Sequence, residues 1–215
     1  MSILPEIEMD KIYMRRAIAL ARAQLGRTAP NPAVACVLVS GETIIGEAAT
    51  GDGGRPHAEE IALESLRGQE LSRATAYVTL EPCHSRSNGG AGCSDRLVVS
   101  GVKRVVIAQI DPHPTAKDGI AKLKAAGLDV EVGLLEDEAA ELTRGFFHLL
   151  ETGRPLLEIS DNPESYDAEV QLEEAETPSE AMERLGKSGM TRVYLRSDSL
   201  LIKPFEKAGL LKSGI

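Results

Sequence analysis

The chain contains no tryptophan, and its four tyrosines and three phenylalanines bring the aromatic fraction to only 3 % of 215 residues. Proteins that hold single-stranded nucleic acid stack bases on aromatic rings inside a cationic groove. Contact with a phosphate backbone further requires an excess of Lys and Arg. Here 24 basic residues stand against 33 acidic ones, a net charge of −9. Both features weigh against a nucleic-acid partner. Cysteine is scarce as well: Cys36, Cys83 and Cys93 are too few for a disulfide framework. There is no apolar run of the about 18 residues that a membrane-spanning helix requires. Met1 to Lys11 carries acidic residues, so it reads as neither a signal peptide nor an anchor. These absences predict a cytoplasmic protein with reduced thiols and no membrane partner. Hydrophobic residues at 42 % and charged residues at 27 % are ordinary for a globular protein of one or two domains.

What the chain does contain is a split constellation: His57-Ala58-Glu59, then Pro82-Cys83, then Cys93 nine intervening residues later. One imidazole and two thiols supply the three protein ligands of a catalytic Zn²⁺, whose fourth tetrahedral position stays open for water. Such an ion lowers the pKa of bound water to about 7. A carboxylate beside it can take the water's proton and pass it to a leaving amine, which is the role open to Glu59. Zinc nucleobase deaminases carry this H-x-E and P-C…C pattern, with the Glu outside the metal's ligands.

The flanking sequence supports the assignment. Gly53-Gly54-Arg55-Pro56 reads as a turn, and His57 to Leu66 as a helix with Ala58, Ile61, Ala62 and Leu66 near one face. Cys93 follows Gly92 and opens a second helix ending at Gly101, a position that favours thiolate and metal ligation. Each part has a plainer alternative. His57 alone reads equally as a polar cap, and two cysteines as small core residues. A structural zinc would need a fourth ligand, for which His84 offers itself. Cys36, within Ala33 to Val39, reads as a core side chain on a buried strand.

The remaining pattern is α/β. Asp10 is expected to cap a helix carrying Met14, Ala17, Ile18, Ala21 and Leu25, stopped at Gly26, with Arg15, Arg16 and Arg22 on its solvated face. Ala29-Pro30-Asn31-Pro32 is a rigid turn, where Asn31 reads either as an Asx-turn residue or as an amide able to read a pyrimidine ring. Strands follow at Ala33–Val39 and Thr43–Ala49 across a Ser40-Gly41-Glu42 hairpin, and then at Thr75–Leu80, Arg104–Ile110 and Val130–Leu134. Helices Gly119–Ala126 and Glu136–Glu151 complete this unit. A hairpin followed by strands separated by helices predicts a mixed five-stranded sheet in a three-layer α/β/α sandwich.

Residues 10 to about 155 resemble the cytidine-deaminase superfamily, specifically the pyrimidine-deaminase half of the riboflavin-biosynthesis deaminase/reductases. Thr28-Ala29-Pro30-Asn31-Pro32-Ala33-Val34, Pro56-His57-Ala58-Glu59, Ala76 to Cys83, and Ile110-Asp111-Pro112-His113-Pro114 carry the likeness. The long gap from Cys83 to Cys93 distinguishes it from nucleoside and tRNA deaminases. The resemblance implies zinc on His57, Cys83 and Cys93, proton transfer by Glu59, and pyrimidine contacts from Asn31 and Ala58. His84 and Arg86 are further substrate-binding candidates from the loop, Arg86 for a phosphate or as an exposed loop charge. It implies a small-molecule substrate, a diaminopyrimidinone with a ribosylamino phosphate, and a homodimer or homotetramer.

There are departures. Thr50 stands where the family has a histidine, and the loop from Cys83 to Gly92 is longer with its histidine displaced by one. The same chemistry on another aminated base or nucleoside, or an idle scaffold paralogue, are the alternatives. Residues 1–155 are expected to form the deaminase domain, and 156–215 an acidic linker with a small α/β remnant. Glu158 to Glu183 has no Lys or Arg, and is expected to be a linker or the exposed edge of a subdomain. A helix at Pro178–Gly186, a strand at Thr191–Leu195 and a helix at Leu200–Ala208 follow. The remnant resembles part of a reductase whose cofactor loop, Arg196-Ser197-Asp198-Ser199, lacks glycine, and no reductase activity is expected.

Overall fold

A computed structural model describes residues 6–86, 89–113 and 118–211. The first sheet contains β1 (Ala35–Ser40), β2 (Thr43–Ala49), β3 (Ala74–Val78), β4 (Arg104–Ile107) and β5 (Asp129–Val132), in the order β2-β1-β3-β4-β5. β1 runs antiparallel to β2 and β3, whereas β3, β4 and β5 are mutually parallel, so the sheet is mixed as the connection lengths imply. The helices are α1 (Glu6–Arg22), α2 (Ala58–Glu64), α3 (Cys93–Ser100), α4 (Gly119–Ala125) and α5 (Glu136–Thr152).

Alternation along the strands separates two cores, because successive side chains point to opposite faces. Val37, Val39, Tyr77 and Val106 join Met14, Ala17 and Ile18 of α1 and Ala139 and Leu142 of α5 on one face. Cys36, Leu38, Ala76, Val78, Val105 and Ile107 join Ala58 and Ala62 of α2, Leu97 of α3 and Leu123 of α4 on the other. The sheet is thus the middle of three layers. Cys36 is fully buried, as expected, and burial holds its thiol well above its ordinary pKa.

α1 begins at Glu6, ahead of the expected cap, so Asp10 lies inside the helix. There its buried carboxylate ties three elements together. It accepts a hydrogen bond from Tyr77 Oη at 2.5 Å and from Arg104 Nη1 and Nη2 at 2.9 and 2.8 Å. Arg15 and Arg16 are exposed, as expected, and pair with Glu138 and Glu47.

A second, parallel sheet of order β6-β8-β7 comprises β6 (Leu156–Ile159), β7 (Ala168–Glu169) and β8 (Arg192–Leu195), with α6 (Pro178–Lys187) and α7 (Ile202–Lys207). It has its own core of Val170, Ala181, Met182, Leu185, Val193, Leu195 and Phe205. Thr177 caps α6, its side chain exchanging hydrogen bonds with Glu180 across the first turn, and Pro178 follows at the first helical position. The acidic stretch from Glu158 to Glu183 is built into this sheet. It contains the end of β6 and all of β7, and Glu158 is ion-paired with Arg144 and Arg192. β6 escapes sequence reading because its four residues carry no alternation. No helix among the described residues is long and apolar enough to cross a membrane.

The Asp10 network generates a stability prediction. Burial pushes the Asp10 carboxyl up, but the hydrogen bonds from Arg104 and Tyr77 outweigh it and hold it below its ordinary value of 3.8. Its contribution is therefore present above that unfolded value and lost as pH falls through the lower folded one. Asp10→Ala leaves Arg104 with Glu131 as its close partner, so urea titration at pH 7 is expected to show a loss of about 2–4 kcal/mol. Below pH 4 the gap between variant and parent should narrow.

Candidate active site

The C-terminal ends of β3 and β4 lie on the same sheet edge as the start of β1 and the end of β2, and the loops leaving this edge form a cavity of about 400 Å³. Open α/β sheets place their ligands at such an edge. His57 occupies the cap position of α2, with an extended backbone (φ −71°, ψ 155°) that ends the preceding turn. Glu59 follows within the first helical turn and is buried. Cys83 lies in the turn after β3, and Cys93 opens α3 behind Gly92, whose N–H donates to Asp95 at 3.1 Å.

Three segments distant in sequence thereby converge. His57 Nδ1 is 3.3 Å from Cys93 Sγ and 3.8 Å from Cys83 Sγ, and the three candidate ligand atoms all lie within 4.8 Å of one another. The Cys93 N–H donates to Cys83 Sγ at 3.3 Å, while Ser94 Oγ donates to the Cys83 carbonyl at 3.0 Å. Tetrahedral zinc bond lengths of about 2.3 Å to sulfur and 2.0–2.1 Å to nitrogen imply donor separations of about 3.5–3.8 Å. Both the spacing and the two-thiol, one-imidazole donor set fit zinc.

Electrostatics point the same way. The hydrogen bond from the Cys93 thiol, with those from His57 and the Cys93 N–H, overcomes burial and brings Cys83 down to about 4. Cys93, hydrogen-bonded to that thiolate and buried, is driven far up instead. The two thiols thus oppose each other's ionisation, and a divalent cation between them would allow both to ionise. Glu59 is raised above its ordinary 4.5, chiefly by burial and also by the Cys83 charge, while its own backbone N–H, His57 and Cys93 partly offset this. A buried, raised carboxyl beside a metal-type donor set suits proton transfer.

Asn31 lines the cavity, and its Nδ2 donates to the Gly54 carbonyl at 3.0 Å, which leaves Oδ1 as the acceptor for a ligand. Thr50 lines it too, its hydroxyl exchanging hydrogen bonds with the Val34 N–H and carbonyl at 3.1 and 3.2 Å. Ala58 does not reach the cavity with its side chain, which packs in the core beneath the sheet. His84 is not brought to the cavity either. Its carbonyl accepts from Lys122 Nζ at 3.2 Å, and its Nδ1 is buried without a hydrogen-bond partner. Arg86 is no exposed loop charge: its side chain is 8 % exposed, pairs with Glu60 at 2.9 Å, and lies 3.9 Å from Cys93 Sγ.

Sequence reading missed the opposite wall. α5 contributes Phe146, Leu149 and Leu150, and the loop after β4 contributes Asp111 and His113, whose ring lies 6.2 Å from that of Phe146. The available signals were the Ile110 to Pro114 stretch, singled out for its likeness but given no site role, and Phe146-Phe147, two of the three phenylalanines in the chain. Glu81 is buried at the cavity floor, where it accepts from the Asp111 N–H at 3.3 Å and the Ile120 N–H at 2.9 Å.

Residues 7–109 match the family model of the cytidine and deoxycytidylate deaminase zinc-binding region. The riboflavin biosynthesis protein RibD of Aquifex aeolicus is 42 % identical over 153 residues, 71 % of this chain and 42 % of that protein. The chain spans about two-fifths of the length of the RibD proteins it matches. A shorter relative, the diaminohydroxyphosphoribosylamino-pyrimidine deaminase of Buchnera aphidicola from Acyrthosiphon pisum, is 43 % identical over 147 residues, 68 % of this chain and 99 % of that protein. Among solved structures, Acinetobacter baumannii RibD in its second form superposes with a TM-score of 0.81 at 26 % identity, covering 96 % of this chain and 85 % of that one. That match extends through the C-terminal sheet. With the Buchnera relative matched over 99 % of its length and a zinc-type donor set in place, the chain belongs to the riboflavin-biosynthesis deaminase branch of the cytidine and deoxycytidylate deaminase zinc-binding family.

Proposed function

We propose that this chain is a zinc-dependent hydrolase that deaminates a phosphorylated ribosylaminopyrimidine, the diaminohydroxyphosphoribosylaminopyrimidine of riboflavin biosynthesis. The observation that carries the reading is the convergence of His57, Cys83 and Cys93 beside buried Glu59 in one cavity. The name of the Buchnera relative supports the choice of substrate. In this reading residues 1–155 form the deaminase unit and 156–215 a second unit. The reduced thiols on which the site depends suit a cytoplasmic location.

His57, Cys83 and Cys93 would hold the zinc, which when bound supplies the Lewis acidity that makes water a nucleophile near neutral pH. Glu59 takes a proton as the water's oxygen adds to the ring carbon bearing the exocyclic amine. It passes that proton to the ring nitrogen, then moves the former water's second proton from the new hydroxyl to the amine, so that the carbon–nitrogen bond breaks as the ring carbonyl forms and ammonia leaves. Burial keeps Glu59 able to hold a proton, so one carboxyl can serve as base and then as acid. Asn31 Oδ1 accepts from a ring donor and orients the pyrimidine, while Phe146 and Leu149 cover its faces. Arg86 lines the cavity, pairs with Glu60 and lies near Cys93, so we assign it to balancing thiolate charge.

The tail supports a reading without hydride transfer. In the loop after β8, the Ser197 N–H and hydroxyl both donate to the Asp161 carboxylate, at 3.0 and 2.6 Å. A carboxylate already satisfies donors that a nucleotide phosphate would need.

Ammonia release from the diaminopyrimidine precursor, with cytidine and guanine alongside, is the direct test. Turnover of the precursor is expected, and turnover of cytidine or guanine without it would overturn the substrate assignment. Glu59→Gln is expected to lower kcat by about 10²–10⁴-fold while zinc, measured by atomic absorption, stays stoichiometric. Cys93→Ser should instead lose zinc and activity together, and chelator treatment of the parent chain should reproduce that loss until zinc is restored.

A further inference from the structure

Two walls of the cavity rest on the C-terminal sheet. The first is the loop from Gly26 to Pro32, which carries Asn31. At one end, Gly26 lies against Tyr166, where an added methyl would fall 2.6 Å from the Tyr166 carbonyl oxygen. Near the other end, Pro30 lines the cavity and abuts Gly189, which follows α6 with φ +84°. A methyl at Gly189 would fall 2.7 Å from Pro30 Cβ, so only glycine suits both the backbone and the contact. The loop is irregular, and its described backbone bonds are few, among them Asn31 N–H to the Thr28 carbonyl at 3.0 Å and Gly53 N–H to the Arg27 carbonyl at 2.8 Å. Its position is therefore set largely by what it packs against.

The second wall is α5. Phe146, Leu149 and Leu150 line the cavity, while Glu141, Arg144 and Gly145 meet the C-terminal sheet. Arg192, on β8, is buried and joins the two units. It donates to the Glu141 carboxylate at 3.0 Å, the Glu141 carbonyl at 3.1 Å and Glu158 at 2.7 Å, and its guanidinium lies 5.6 Å from the centre of the Tyr166 ring. Gly145 permits this approach: a methyl there would fall 2.3 Å from Arg192 Cγ and 2.7 Å from the Thr191 carbonyl oxygen.

We propose that the C-terminal unit is a positioning element for the deaminase cavity, holding the Asn31 loop through Tyr166 and Gly189 and α5 through Arg192. The unit is thereby given a role in deamination that needs no nucleotide cofactor of its own. What the cavity binds rests on the function proposed above; the dependence of its walls on the C-terminal unit does not. A bracing role follows from the sensitivity of catalysis to placement, since a shift of about 1 Å in a positioning group can cost about 10²-fold.

The test uses the full chain. Gly145→Ala is the main variant, because alanine is the better helix former and any harm must come from the pressed interface. Arg192→Met is the second, removing the ion pairs while keeping the bulk of the side chain. Each is measured for kcat and KM on the diaminopyrimidine precursor, for zinc content, and for hydrogen exchange at the Asn31 and Gly53 amides. KM is expected to rise about tenfold, with a smaller change in kcat, stoichiometric zinc, and about tenfold faster exchange at those two amides. Arg196→Ala, an exposed change at the Asp198 pair of the same unit, should leave all four at parental values. Unchanged KM and exchange in both variants would overturn the proposal, as would a rise in KM matched by proportional loss of zinc. If Gly145→Ala fails to fold, Arg192→Met decides alone. Should the parent chain not turn over the precursor, the substrate assignment falls, and the exchange rates still decide whether the C-terminal unit holds the loop.

Discussion

The site depends on one arrangement of backbone: two helices that begin at the same sheet edge, each presenting a metal-type donor at its mouth. His57 caps α2 and Cys93 opens α3, and the turn after β3 brings Cys83 between them. Cys83 is the centre of that arrangement, because its sulfur accepts the Cys93 N–H while its carbonyl accepts the Ser94 hydroxyl. Backbone and thiol of one residue thus register the second helix against the third strand. Two thiols this close push each other's ionisation apart, lowering Cys83 and raising Cys93, which is the condition a divalent cation relieves.

The rest of the molecule serves that edge. The Asp10–Tyr77–Arg104 network ties α1 to β3 and β4, the two strands whose ends carry Cys83 and Asp111 into the cavity. Glu81 joins the loops after those strands through two backbone N–H groups. The C-terminal sheet supports the remaining two walls from outside, through α5 and the loop before β1. Its acidic surface, which looks like a linker when read as composition, is in part a set of partners for Arg144, Arg154, Arg184 and Arg192.

Much of the fold was legible because its signals are local. β1 is a continuous apolar run buried from Ala35 to Val39, Gly26 follows α1, and Gly101 terminates α3 in the left-handed conformation that glycine accepts readily. Misreadings fell where tertiary contacts override a local signal. Asp10 has the chemistry of a cap and serves instead as a buried counter-ion, since Arg104 comes from 94 residues away. β6 has no period to read, and becomes a strand because β8 offers it a partner.

The sequence by itself determined the candidate donors His57, Cys83 and Cys93 and the carboxylate Glu59 beside them, because ligand chemistry is a property of residue type and the flanking turn signals are local. It also determined the mixed α/β architecture, through the alternation of apolar periods. Only the tertiary structure decided which loop residues face the cavity. Arg86 lines the cavity while paired with Glu60 beside the Cys93 sulfur, His84 turned away, and Phe146 entered from a helix 53 positions beyond Cys93. Side-chain direction in an irregular loop has no period along the chain, and a wall contributed by a distant helix exists only once both sheets have packed against it.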